Sequence, residues 1–223
     1  MADAFVIIAF LALAPVTIGL VFWIALRQAK KTGAMIEAYA KELGLDVHQR
    51  PPLFGIFQGL PEVVGSLHGR EVRIYQFQKG SGKNSQTWSA LTIGRVAGSD
   101  LHVTLSGQGA FTKIRSVFGA EEIQVEDRTF NDRWFIETND PEFLKVALFG
   151  KVCTAIEASQ PGGNKPKGRF DLKAGEVRYE EQGSLSTADR RERIRLAITA
   201  AQELLDVASV HADEGGISER EPS

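Results

Sequence analysis

The chain has 223 residues, 43% of them hydrophobic, one cysteine and a net charge of −2. Length and apolar content suffice for one ordinary core without metals or disulfides. The near-neutral charge gives no global field for nucleic acid, and the lone Cys153 excludes an intrachain disulfide framework.

Residues 4–26, AFVIIAFLALAPVTIGLVFWIAL, carry no charge. As a helix they extend roughly 34 Å, enough to cross a hydrocarbon layer of about 30 Å with some tilt. A cleavable signal would have a basic leader and a shorter apolar core. Here the leader is Met-Ala-Asp-Ala. A buried core helix is rarely apolar all round for six turns. The run therefore predicts a membrane anchor, in which Pro15 and Gly19 are tolerated and Phe22 and Trp23 sit near one headgroup level. Arg27, Lys30 and Lys31 follow at once, while the leader offers Asp3. By the positive-inside rule the N-terminus lies outside and the following domain in the cytoplasm, at the cell's inner (plasma) membrane.

Residues 33–43 place Met35, Ile36, Tyr39, Ala40 and Leu43 on one helical face, and Gly44 is positioned to stop that helix. It can continue the anchor, with Gly33 as a weak point. Residues 51–61 are rich in Pro and Gly yet carry Leu53, Phe54, Ile56 and Phe57, which predicts a loop packed on the body.

Strands follow. Residues 63–67 and 71–77 flank His68-Gly69-Arg70, a turn in which the glycine supplies positive φ. Residues 87–93 form a third strand. Residues 101–106 alternate, with Leu101, Val103 and Leu105 inward. Ile123–Val125 and Arg133–Glu137 are further candidates. Asp140 and Pro141 open a helix whose Leu144, Leu148, Val152 and Ile156 recur every four residues. Cys153 falls on its apolar face and reads as a small buried hydrophobe. Residues 170–173 and 176–179 make a hairpin around Ala174-Gly175. Ser186-Thr187-Ala188-Asp189 reads as a capping box for a last helix, with Ile194, Ile198, Ala201, Leu205 and Ala208 buried.

Strands and helices are segregated, which predicts an α+β fold: an N-terminal transmembrane helix, then an antiparallel sheet packed by two or three helices. The divisions are 1–32 for anchor and basic flank, 33–211 for the soluble domain, and 212–223 for a disordered acidic tail. The order of the juxtamembrane helix, Gly65-x-x-x-Gly69-Arg70-x-Val72, a Gly/Ser loop, Asp140-Pro141-x-Phe143, Phe170-x-Leu172…Gly175-x-Val177-x-Tyr179 and a long final helix resembles uncharacterised single-pass bacterial membrane proteins with a soluble domain of unknown function. The resemblance covers almost the whole chain and implies that architecture, with no activity or site.

Catalytic motifs are missing from the sequence. Lys79-Gly80-Ser81-Gly82-Lys83-Asn84-Ser85 fails as a phosphate loop, because Phe77 stands where the first glycine belongs and Asn84 where Ser or Thr would meet Mg²⁺. It reads as a solvated hairpin loop. His48, His68, His102 and His211 are dispersed over four elements, so no metal or cofactor is called for. Glu121-Glu122, Glu126-Asp127 and Glu180-Glu181 are acidic pairs whose members point to opposite faces on strands, and solvated charge is expected of them. Two basic clusters, Lys165, Lys167 and Arg169, and Arg190, Arg191, Arg193 and Arg195, could join Arg27, Lys30 and Lys31 against anionic lipid. Three functions stay open: a membrane-tethered binding or scaffold domain with a protein partner, a lipid-surface module, and an enzyme with an unfamiliar site. The first is favoured, and catalysis is not.

Overall fold

One helix opens the chain, α1 over Ala2–Leu43. The computed structural model describes residues 2–49, 61–94, 100–107, 125, 127–148, 150–163 and 165–218, with backbone but not side chains for most of 2–26, for 29 and 146, and for 213–218. Helix α1 runs past Gly33 without a break, and its last turns bury Ile36, Tyr39 and Ala40. Gly44, at φ 69°, ends it. The Gly44 N–H donates to the Lys41 carbonyl at 3.1 Å and the Leu45 N–H to the Ala40 carbonyl at 2.8 Å, the paired bonds of a glycine-terminated helix. Among the described residues no helix is long and apolar enough to cross a membrane. Most side chains of 4–26 lie outside those residues.

The strands are β1 (Asp46–His48), β2 (Glu62–Leu67), β3 (Arg70–Lys79), β4 (Gln86–Ile93), β5 (His102–Gly107), β6 (Trp134–Thr138), β7 (Gly168–Lys173) and β8 (Glu176–Gln182). After α1 come α2 (Arg128–Arg133), α3 (Pro141–Ala147), α4 (Lys151–Ala158) and α5 (Ala188–Ser218). The fold is α+β, as expected. Among the described residues eight strands form one antiparallel sheet in the order β1-β2-β3-β4-β8-β7-β5-β6.

The hairpins fall where the glycines predict. His68 and Gly69 have φ 53° and 78°, and Ala174 and Gly175 have 49° and 71°. Two consecutive left-handed residues match the right-handed twist of the strands they join. Residues 80–85 connect β3 to β4 through an exposed 3₁₀ turn at Gly82–Asn84, the solvated loop expected there.

Register and burial divide the sheet into two faces. Val63, Val72, Ile74, Leu91, Ile93, Val103, Leu105, Ile136, Phe170, Leu172, Val177 and Tyr179 point to the helices and form the core with Ile194, Ile198, Ala201, Leu205 and Ala208 of α5. Helix α5 lies lengthwise on this face. Arg193 near its start bonds Glu181 at the end of β8, and Gln202 further along bonds His68 in the β2–β3 turn. Helix α1 runs the same way, since Tyr39 donates to the Arg191 carbonyl at 2.9 Å while Glu42, a turn later, acts electrostatically on Arg195.

Five expectations need correction. The single helix over 141–156 is two, α3 and α4, divided around Gly150 at φ 60°. The period of four survives the break because both pieces bury the same row. Helix α2 stands where no helix is predicted, capped by Asp127, whose carboxylate accepts from the Thr129 and Phe130 N–H groups. Helix α5 begins at Ala188, with the first turn closed by the Arg191 N–H to the Thr187 carbonyl, so Thr187 rather than Ser186 holds the cap position. Glu180 and Glu181 are buried, not solvated. The backbone of α5 is helical to Ser218, past the expected start of the acidic tail. The loop expected over 51–60, the acids Glu121, Glu122 and Glu126, and the strand at 123–125 apart from Val125 lie outside the described residues.

Candidate functional site

The strongest cluster of polar side chains is buried between β8 and the start of α5. Tyr179 and Glu181, two apart on β8, both face the helices. Glu181 is 1% exposed. Arg193 reaches it with two bonds, Nε to Oε2 at 2.9 Å and Nη2 to Oε1 at 3.3 Å, and Arg190 Nε lies 3.0 Å from Oε1. The Tyr179 hydroxyl donates to Glu181 Oε2 at 3.2 Å and accepts from Gln160 Nε2 at 2.8 Å. Gln160 Oε1 in turn accepts the Lys167 and Gly168 N–H groups. Burial, reinforced by the Glu181 charge, raises the Tyr179 hydroxyl far above its ordinary range and keeps it a donor. Burial works to lower Arg193, but the Glu181 carboxylate outweighs it and holds the guanidinium charged. A Cβ at Gly168 would fall on the Tyr179 ring, so the glycine is required by that ring. This network joins α4, α5, β7 and β8. Its single carboxylate holds two guanidinium groups, and the hydrogen bonds around it tie these elements to one another.

The sheet face turned away from the helices carries a second arrangement. Arg73, Tyr75, Phe77 and Lys79 alternate along β3. The Arg73 guanidinium lies 5.2 Å from the Tyr75 ring centre, Lys79 Nζ 4.2 Å from Trp88 and 5.4 Å from Phe77, and Arg178 5.4 Å from Phe77. Each cation is also paired with an acid. Arg73 binds Glu62 through Nε at 2.6 Å and Nη2 at 2.9 Å, Lys79 and Arg178 share Glu180 at 2.6 and 3.0 Å, and Arg169 binds Asp171 at 2.6 Å. A groove of about 770 Å³ opens beside this face near the His68-Gly69 turn, where Glu71, Arg73, Thr92 and Glu176 line it with the backbone of Gly69 and Gly94.

The basic residues singled out from the sequence have different fates. Arg190 is half-buried on Glu181 and the Ser184 carbonyl, and Arg193 is 7% exposed. Arg191 donates to the Leu185 carbonyl at 2.9 Å, and Arg195 pairs with Glu192 at 2.6 Å. Arg169 belongs to the strand face. Lys165 and Lys167 are exposed beside Gly168, where β7 begins. Arg27, Lys30 and Lys31 are exposed on α1, and the Arg27 guanidinium lies 5.4 Å from the Trp23 ring centre. Leu20, Trp23 and Ile24 on the same helix are also exposed. Cys153 is buried as expected, donates to the Leu148 carbonyl at 3.0 Å, and is raised to about 11 mainly by burial. His102 is exposed on its strand and His68 lies in the turn. His211 Nε2 stands 2.9 Å from Asp140 Oδ2. Among the described residues no group of three or more His, Cys, Asp or Glu side chains is placed to hold a metal ion.

Period two in the sequence signals two features of these sites. Arg73-x-Tyr75-x-Phe77-x-Lys79 is one face of a strand, and Glu181 follows inward-facing Tyr179 by two. No family model, curated protein or solved structure matches the chain.

Proposed function

We propose that the chain is a binding or scaffold domain held at a membrane by its own N-terminal helix, with residues 4–26 in the bilayer and the α+β domain on the cytoplasmic side. The observation that carries this is the unbroken course of α1 from an uncharged run into the core of the domain, where Ile36, Tyr39 and Ala40 are buried. Supporting it, Leu20, Trp23 and Ile24 expose an apolar stripe at helical spacing, which water disfavours and lipid accepts. Arg27 folded against Trp23 is the pairing of charge and indole that suits a headgroup layer. A partner in the cytoplasm would meet the groove at the Glu71–Glu176 end, which the direction of α1 turns away from the bilayer.

The test is membrane extraction of the full chain together with a reporter fused after Ser223. The chain is expected to resist alkaline carbonate, and the fusion to be active as a cytoplasmic reporter and inactive as alkaline phosphatase. A chain that washes off, or an active phosphatase, overturns the proposal.

A further inference from the structure

Which end of the domain would face the bilayer follows from the directions of its elements. Tyr39 meets Arg191, and α5 proceeds from there to Gln202 and Asp206 at the His68–Arg70 end of the sheet. The N-terminal part of α1 therefore projects from the opposite end. That end carries the 80–85 loop, the start of β7 and the start of α5: Gly183 N–H bonds the Thr87 carbonyl, Gly168 pairs with Glu181, and Lys79 pairs with Gln86.

Treating α1, α5 and the strands as parallel, helix and strand rises give depths along α1. Tyr39 is thirteen residues beyond Leu26, about 20 Å of helix. Glu181 lies level with Arg193, two residues deeper than Arg191, which puts its row about 23 Å from Leu26. Register places Gln76, Ser89 and Glu181 in that row. Lys79 and Gln86 stand three residues nearer to Leu26, a gain of about 10 Å. The turn at Gly82–Asn84 projects further. Lys83 at its tip is exposed and has no ion pair among the described residues. A headgroup layer is roughly 5–8 Å deep on each side of the hydrocarbon. The tip thus comes within a lysine side chain's reach of it.

We infer that this end, through Lys83, Lys165 and Lys167 together with Arg27, Lys30 and Lys31 of α1, lies against the anionic headgroups of the bilayer that holds the anchor. The inference rests on the anchor proposed above. Lys165 and Lys167 lead into β7 at this end and are exposed, whereas Arg190 and Arg193 are occupied by Glu181. Among the described residues Glu37, Asp127, Asp132, Asp189 and Glu192 are exposed acids near this end, Glu192 being paired with Arg195, and the loop lysines together with the helix flank set Lys83, Lys165, Lys167, Arg27, Lys30 and Lys31 against them. Anionic headgroups complement those cations.

The test uses the full chain in nanodiscs, in a Cys153→Ala background. A fluorophore is placed at Lys83→Cys, or at Lys173→Cys at the far end of the sheet, and headgroup-borne quenchers report proximity. Strong quenching at position 83 and none at 173 is expected in discs containing phosphatidylglycerol. With phosphatidylcholine alone, or with Lys165→Gln and Lys167→Gln added, the quenching at 83 is expected to weaken. Equal signals at 83 and 173, or a signal indifferent to lipid charge, overturn the inference while leaving the anchor intact. A chain that carbonate removes from membranes overturns both.

Discussion

Removing the Glu181 carboxylate would leave Arg193 buried without its partner and Arg190 without its ion pair. Breaking a buried pair on one side costs about 3–5 kcal/mol, because the surviving charge has lost its water and gained nothing. Glu181→Ala is therefore expected to lower the urea midpoint sharply. Adding Arg193→Met should return a large part of the loss, since it removes the stranded charge and keeps the aliphatic bulk. If the double variant is as unstable as the single one, the carboxylate acts through Arg190 and Tyr179 instead. Asp140 is a different kind of acid. Its carboxyl is held below the ordinary carboxylate range, first by the Phe143 N–H, against partial burial, and then by the bond to His211. A folded-state value below the unfolded one contributes stability that is complete above the unfolded range and disappears as pH falls through the folded value. Asp140→Asn keeps the cap acceptor and has no proton to gain. It should lie near the parent at neutral pH and lose less between neutral and acid conditions, whereas Asp140→Ala should lose about 1 kcal/mol at neutral pH. Thermal melts of the three across that range decide it.

At the scale of elements, what was legible depended on how local its cause is. The β2–β3 and β7–β8 hairpins were readable because two residues, His68-Gly69 and Ala174-Gly175, set the turn and hence the register. The α3 start was readable because Asp140 and Pro141 occupy adjacent positions with separate roles in one cap. Helix α2 was not, since six residues are too few to show a period, and its Asp127 cap sits in a pair of acids that looks like solvated charge. Strand β1 has three residues and two of them are polar, so nothing in it alternates. The neighbours β4 and β8 are joined by six register pairs between residues about 90 apart in the chain, and no local signal carries that choice. The same limit applied to the candidate sites. Lys165 and Lys167 stand together in the sequence as a charge cluster, but Lys83 joins them only once the sheet is assembled.

For the molecule as a whole, residues 34–211 contain all eight strands and the core contacts of α1. That fragment should be soluble and should unfold in one cooperative transition by circular dichroism; a molten fragment would mean that the body needs its membrane helix. The unbroken α1 has a consequence of another sort. A helix without a swivel is a shaft, and it transmits angle. Inserting one alanine between Lys31 and Thr32 turns everything after it by about 100° and moves it only about 1.5 Å outward. A bilayer looks the same from every azimuth, so contact with lipid should survive that rotation. A neighbouring protein fixed in the membrane does not look the same, and engagement with it should fail after one added residue and largely recover after four, when the angle has nearly come round. Cross-linking yields across a ladder of such insertions would then rise and fall with the turn of the helix if the domain serves a directional partner, and stay level if lipid is all it meets.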